Sequence, residues 1–141
     1  MLRVVDGPID VAAVRRAVDD PGHGCVIVFE GVARDTFEGR RVARLEYEAY
    51  AEMAEPVLRE IAGEIEARWP GARVAMVHRT GTVAIGEPSV VIAVGTAHRA
   101  EGYEASRHAI EALKARLPVW KKEIYEDEGS AWKANAAAPE R

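Results

Sequence analysis

Cationic side chains stand at the predicted ends of strands and helices, where binding and catalytic residues are often found. They are Arg34, His98, Arg99, Lys114, Lys121 and Lys122. Ammonium, guanidinium and imidazolium groups bind phosphate and other anions through charge-assisted hydrogen bonds. The residue types therefore predict a local site for an anionic ligand.

These cations also have structural interpretations, which the sequence leaves open. Arg34 can end a strand in solvent and Lys114 can lie on the solvated face of a helix, and taken alone each residue favours that interpretation. His98 and Arg99 precede a predicted helix, so that free backbone N–H groups and two cations converge. Anion binding and a structural role are equally supported there. The similar pair at residues 78–79 is interpreted as structural.

The segment after Pro118 combines aromatic and charged residues. Lys121 and Lys122 follow Trp120, an arrangement that suits a phosphate bound beneath an aromatic ring and equally suits a polar surface strand. Glu123 lies two positions from Lys121. In an extended segment both side chains project from the same face, where they can form an ion pair.

Composition and charge restrict the classes of function. The chain has 141 residues, 48% hydrophobic and 30% charged, as expected for one folded domain over residues 1–141. The formal net charge of -4 argues against a protein that coats nucleic acid, so an anionic ligand must meet a local basic patch. The sequence shows no membrane-spanning apolar run, no secretory signal and no metal-ligand spacing. With a single cysteine, Cys25, it predicts a cytoplasmic protein without a metal or other cofactor.

Hydrophobic periodicity predicts three helices and several strands. Helices are predicted over residues 8–19, 53–69 and 101–117, and strands over residues 25–33, 44–49, 74–78 and 89–97. The first two of these strands are predicted to form an antiparallel pair. Because strands and helices do not alternate strictly, the predicted class is α+β, a single domain with a mainly antiparallel sheet and about three packed helices. Residues from roughly 134 to 141 are predicted to be a loose tail.

Three segments resemble signature sequences of the large, catalytic subunit family of molybdopterin synthase. They are FEGVARD at residues 29–35, GTAHRAEGYEA at residues 95–105 and LKARLPVWKKE at residues 113–123, with HRTG at residues 78–81 as a further similarity. The third is the most specific, because two lysines seven residues apart around a proline and a tryptophan are uncommon by chance. The resemblance covers roughly residues 5–133 and implies an α/β-hammerhead-like form of the fold.

The resemblance also implies a set of site residues. Active-site positions of the family fall on Arg34, His98, Arg99, Lys114, Lys121 and Glu123, with Val32, Ala33 and Lys122 lining the pocket. Catalysis is assigned to Lys114, Lys121 and Arg34, and substrate binding to the whole set. Glu123 would orient Lys121. The sequence departs from the family at Val32, where many relatives have a lysine, so that one contact to phosphate or pterin is in question.

The implied reaction is sulfur transfer in molybdenum cofactor biosynthesis, which converts cyclic pyranopterin monophosphate into molybdopterin. Two sulfurs would come from the C-terminal Gly-Gly thiocarboxylate of a small ubiquitin-like carrier subunit, and this chain would form a homodimer within a heterotetramer. Fixed cations suit the reaction because the phosphate, a developing oxyanion and the thiocarboxylate are all negative. The alternative is a noncatalytic anion- or nucleotide-binding regulatory module, which would use the same cations without needing Lys114.

The length of the third predicted helix adds an expectation about assembly. Arg99 lies at its start and Lys114 near its end, so a rise of about 1.5 Å per residue separates them by roughly 20 Å. One small ligand cannot bridge that distance. A two-fold dimer brings the start of one copy's helix near the end of the other's, and the sequence therefore predicts a site shared between two copies.

Overall fold

An eight-stranded sheet and three helices make up the described part of the chain, residues 1–127 and 129–139 of this computed structural model. In chain order the elements are β1 (Leu2–Asp6), α1 (Val11–Arg16), β2 (Cys25–Val32), β3 (Thr36–Phe37), β4 (Arg40–Ala49), α2 (Ala51–Arg68), β5 (Arg73–Ala84), β6 (Pro88–Thr96), α3 (Arg99–Arg116), β7 (Val119–Tyr125) and β8 (Ser130–Ala134). Among these strands the only parallel pair is β1 with β5. The predicted α+β class with a mainly antiparallel sheet is confirmed.

The order of strands along the sheet contradicts one predicted strand pair. It runs β2-β6-β5-β4-β7-β8, while β3 pairs with the start of β4. The predicted pairing of residues 25–33 with residues 44–49 is wrong, because β2 pairs with β6 and β4 lies between β5 and β7. The intervening polar loop forms the short β3–β4 hairpin instead. Alternation of apolar and polar residues identifies the buried face of a strand but not its neighbouring strand.

Apolar side chains cover both faces of the sheet near its centre. One face packs against α2 and α3, where Leu58 and Leu113 belong to one core cluster with Ile92 of β6. The opposite face packs against α1, whose Val14 shares a second cluster with Val91 of β6. Burial on both faces explains why β6 is continuously apolar over residues 90–94 rather than alternating.

The first helix is shorter than predicted, whereas the other two match the periodicity closely. The Asp10 carboxylate begins α1 by accepting a hydrogen bond from the backbone N–H of Ala13 at 3.0 Å. Val18 lies beyond the end of α1 yet still packs in the core, which extended the apparent helical spacing. None of the helices in the described residues combines the length and apolar composition needed to cross a bilayer.

The chain beyond α3 forms a hairpin that extends the sheet. Strands β7 and β8 pair with each other in antiparallel orientation, and Lys121 lies opposite Lys133. After β8, the amide of Asn135 donates a hydrogen bond to the carbonyl of Leu117 at 3.2 Å. The loose tail predicted for residues 134–141 stays a prediction, and residues 140–141 lie outside the described residues.

Candidate active site

The end of α3 and the start of β7 bring Lys114 and Lys121 together. Lys114 lies in the last turn of α3, and Pro118 cannot continue the helix because it lacks a backbone N–H. The chain therefore reverses into β7, whose Lys121 lies close enough to Lys114 to affect its ionisation. Two lysines that are separated in sequence thus line the same cavities.

Tyr47, Lys114 and Lys121 form a wall shared by two cavities. The arginine-side cavity, of about 160 Å³, is lined in addition by Val32, Arg34, Phe37, Ser89 and Glu123. The histidine-side cavity, of about 190 Å³, is lined in addition by His78, Lys133 and Asn135. A ligand in either cavity therefore faces both lysines of the shared wall.

The ammonium group of Lys114 is the reactive candidate within this wall. Among residues 1–127 and 129–139, Lys121 and Lys133 each form an ion pair with Glu123, while Lys114 forms none. Partial loss of hydration in the cavity wall and the nearby charge of Lys121 lower the pKa of Lys114. A lowered pKa raises the fraction of neutral amine near neutral pH, which suits a residue that gives and takes a proton during a reaction.

Glu123 is a buried carboxylate surrounded by donors. It is 2% exposed, and it accepts a hydrogen bond from the Tyr125 hydroxyl at 2.7 Å and another from the Lys133 ammonium at 2.9 Å. Burial raises the pKa of Glu123, but these two hydrogen bonds and the charge of Lys121 outweigh burial, and the pKa lies below its ordinary value. Glu123 is therefore an anion at neutral pH.

His78 presents a neutral imidazole to the histidine-side cavity. Burial, reinforced by the charge of Lys114, lowers the pKa of His78 to about 4, although a backbone hydrogen bond at Arg79 opposes the shift. Its Nδ1 lies 2.9 Å from the carbonyl oxygen of Arg79, so Nδ1 carries the proton and Nε2 is left as an acceptor. The ring makes an edge contact with Tyr47 at a centroid distance of 5.1 Å.

The lowered pKa of His78 predicts a pH dependence of stability. As the pH falls from 6.5 to about 4, the unfolded chain binds a proton at this ring that the folded chain does not bind. The free energy of unfolding should therefore decrease over this window by roughly 3 kcal/mol. Urea unfolding at several pH values should show this slope in the native chain and a correspondingly smaller slope in His78→Asn, whose amide can replace the Nδ1 donor. Equal slopes would contradict a neutral buried ring.

Val32, Arg34, Ala33 and Lys122 come from the predicted site, but only the first two line either of these two cavities. Val32 and Arg34 belong to the wall of the arginine-side cavity, whereas Ala33 lies in the core and is 3% exposed. Lys122 projects from the opposite face of β7, with its ammonium 5.5 Å from the centre of the Trp132 ring. The roles predicted for Ala33 and Lys122 stay predictions.

His98 and Arg99 lie at the far end of α3 from Lys114. Both are exposed, and neither lines the two cavities. Because α3 is continuous from Arg99 to Arg116, a separation of roughly 20 Å between Arg99 and Lys114 follows from the helical rise. Within one copy, these two groups of cations do not meet at one small ligand.

Several cavity residues were not predicted from the sequence, among them Tyr47, His78 and Lys133. Tyr47 lies in a strand whose apolar and polar residues alternate, and it was assigned only to the buried face of that strand. His78 lies in the HRTG segment, which was a signal of family resemblance but was interpreted as structural. Lys133 carried no signal, because its position depends on the pairing of β8 with β7.

The described residues contain a cation-rich site and no arrangement of metal ligands. In residues 1–127 and 129–139, no group of three or more His, Cys, Asp or Glu side chains is placed to hold a metal ion. The cavities instead combine Arg34, Lys114, Lys121 and Lys133 with the single carboxylate of Glu123. The fold and site thus define an α+β protein with a cation-lined cavity, the kind of site that binds anionic ligands.

Comparisons with known proteins identify the family. The family model described as MoaE protein matches residues 4–116. The molybdopterin synthase catalytic subunit of Bos taurus is 45% identical over 135 residues, which cover 96% of this chain and 71% of the relative. That of Halalkalibacterium halodurans is 47% identical over 129 residues, which cover 92% of this chain and 82% of the relative. The chain belongs to the MoaE family, whose members named here are molybdopterin synthase catalytic subunits.

One solved structure gives the same result, and a more distant one shows the same fold. Molybdopterin synthase from Staphylococcus aureus is similar with a TM-score of 0.90 at 42% identity, over 94% of this chain and 96% of that chain. A chain in the complex of subunits 1 and 2 of molybdopterin-converting factor from Helicobacter pylori shares the fold, with a TM-score of 0.77 at 19% identity over 97% of this chain and 92% of that chain.

Proposed function

We propose that this chain converts cyclic pyranopterin monophosphate into molybdopterin by transferring two sulfurs, one from each of two thiocarboxylated small subunits. The observation that carries the proposal is the shared wall, where Lys114 and Lys121 face the same ligand space. Membership of the MoaE family supports it. The proposed compartment is the cytoplasm, which fits a chain whose single cysteine cannot form an internal disulfide.

The charges of the cavity suit each stage of this reaction. Arg34 supplies a permanently charged guanidinium for the pterin or its phosphate. Lys114, whose pKa is lowered, exchanges a proton with the reacting groups as the thiocarboxylate sulfur bonds to the pterin precursor. Lys121 stabilises the oxyanion that forms when water then cleaves the resulting thioester, which leaves the sulfur on the pterin and releases the small subunit as a carboxylate. Glu123 keeps Lys121 in this region through a loose ion pair, with 3.6 Å between the ammonium nitrogen and the carboxylate oxygen.

The proposed assembly is a homodimer within a heterotetramer that includes a small ubiquitin-like subunit ending in Gly-Gly. The thiocarboxylate at that C-terminus would enter the cation-lined cavity, because it is negative and narrow. The second copy of this chain would supply His98 and Arg99, which lie too far along α3 from Lys114 to act within one copy.

The direct test is reconstitution with defined components. The chain is mixed with thiocarboxylated small subunit and cyclic pyranopterin monophosphate, and molybdopterin is measured after oxidation to a fluorescent derivative. Small subunit with an ordinary C-terminal carboxylate is the control and should give no product. Substrate binding without product, despite a partner that is active with another family member, would favour the noncatalytic anion-binding module.

Chelator treatment should leave the rate of molybdopterin formation unchanged. The sequence has no metal-ligand spacing, and the proposed chemistry relies on lysines and an arginine. The measurement is turnover before and after dialysis against EDTA, with a zinc enzyme treated in parallel as a control for chelation. Activity that is lost on dialysis and restored by zinc would contradict this mechanism.

A further inference from the structure

The carboxylate of Glu123 pairs with Lys133 as well as with Lys121. A role in orienting Lys121 would require only the pair with Lys121. The Oε1 atom of Glu123 lies 2.9 Å from the ammonium of Lys133 but 3.6 Å from the ammonium of Lys121. The shorter distance is that of a hydrogen bond, and the longer one is not. Of the two lysines, Lys133 therefore binds Glu123 more closely, while Lys121, the lysine assigned to chemistry, is held loosely.

Strand pairing is the reason that two lysines compete for one carboxylate. Lys121 and Lys133 lie directly opposite each other on β7 and β8, an arrangement in which like charges repel. Glu123 lies two residues beyond Lys121 on the same face of β7, within reach of both ammonium groups. When one of these two lysines pairs closely with Glu123, the ammonium group of the other lysine is free to bind a ligand.

A contact with Phe37 fixes the position of the Lys133 ammonium beside the Glu123 carboxylate. The Lys133 ammonium lies 2.9 Å from the centroid of the Phe37 ring, a cation–π contact with β3. Lys133 is thus held between an aromatic ring and a buried anion. Lys121 remains in the wall shared by both cavities.

We propose that Lys133 is a positioning residue for Lys121. By occupying Glu123, Lys133 prevents the carboxylate from capturing Lys121, so that the Lys121 ammonium stays directed toward the ligand. In this role Lys133 does not contact substrate. The inference rests on the proposed function through the catalytic role of Lys121.

Lys133→Met tests the proposal by removing the charge while keeping an unbranched side chain against Phe37. With Glu123 left to Lys121, turnover should fall roughly 10- to 100-fold, as expected when a reacting group is displaced. Acylation of Lys121 by an amine-reactive reagent, followed by mass spectrometry, should slow as well. Lys133→Arg retains the charge and should preserve both rates.

A matched control removes a cation elsewhere. Arg107 lies on α3 with its side chain 79% exposed, paired with Glu111, and it lines neither of the two cavities of the site. Arg107→Met should leave both turnover and the labelling of Lys121 unchanged. This control distinguishes an effect that depends on the position of Lys133 from a general effect of the net charge of the protein.

The Glu123→Gln background separates positioning from substrate contact. Without the carboxylate charge there is nothing to capture Lys121, so adding Lys133→Met should change turnover and labelling by less than about twofold. A loss as large as in the native background overturns the proposal, because Lys133 would then act directly on substrate. Normal turnover and labelling in Lys133→Met also overturn it.

Two features keep the outcome decisive. If Lys133→Met does not fold, as judged by thermal unfolding, the comparison within the Glu123→Gln background still applies, since neither of those proteins buries an unpaired carboxylate. Labelling of Lys121 needs neither substrate nor small subunit. If the native chain makes no molybdopterin, the proposed function fails, while the labelling rates of the variants still test the position of Lys121.

Discussion

Lys114→Ala and Lys121→Ala are each expected to lower the rate of molybdopterin formation by at least about 100-fold, the usual contribution of a positioned proton-transfer or charge-stabilising group. Both ammonium groups lie in the wall shared by the two cavities, and no other described lysine lines both. The measurement is turnover with saturating thiocarboxylated small subunit and pterin substrate.

Stability should change little in these two variants. Lys114 has no ion-pair partner among the described residues, and Glu123 keeps its contacts with Tyr125 and Lys133 when Lys121 is removed. Each substitution should therefore alter the free energy of unfolding by under about 0.5 kcal/mol, as surface lysines usually do. Near-normal turnover in both variants would remove the catalytic assignment, and Arg107→Ala serves as the control for loss of an exposed cation on α3.

Mixing two inactive proteins is expected to restore activity if the site is shared between two copies. One protein carries His98→Ala and Arg99→Ala, and the other carries Lys114→Ala and Lys121→Ala. After subunit exchange, a mixed dimer has one intact pocket and one pocket that lacks all four side chains. Random exchange of equal amounts makes half of the dimers mixed, so recovery should reach roughly a quarter of the native rate.

The physical reason for this expectation is the continuity of α3. Its 18 residues run unbroken from Arg99 to Arg116, which leaves roughly 20 Å between the two groups of cations in one copy. Exchange is followed by native mass spectrometry with one protein isotopically labelled, and each variant mixed with itself is the control. If the copies exchange but activity is not restored, a site shared between two copies is excluded. His98 and Arg99 would then act in a pocket that does not contain Lys114, or act elsewhere.

Local sequence was sufficient to identify most elements because their signals are short-range. The apolar spacing of α2 and α3, the helix-ending Pro118 and the alternation of β4 each depend on residues only a few positions apart. The first helix was overestimated because Val18 packs in the core from outside it. The pairing of residues 25–33 with residues 44–49 was wrong because strand neighbours are chosen over long separations.

Sequence by itself determined the family, the fold class and the chemical types at the site, since FEGVARD, GTAHRAEGYEA and LKARLPVWKKE are local patterns. Tertiary structure alone decided which of these residues meet. It joined Lys114 to Lys121, turned Lys122 to the opposite face of β7, and brought Lys133 to Glu123. The physical reason is that strand register and the reversal after α3 set these distances, and both depend on packing between segments far apart in the chain.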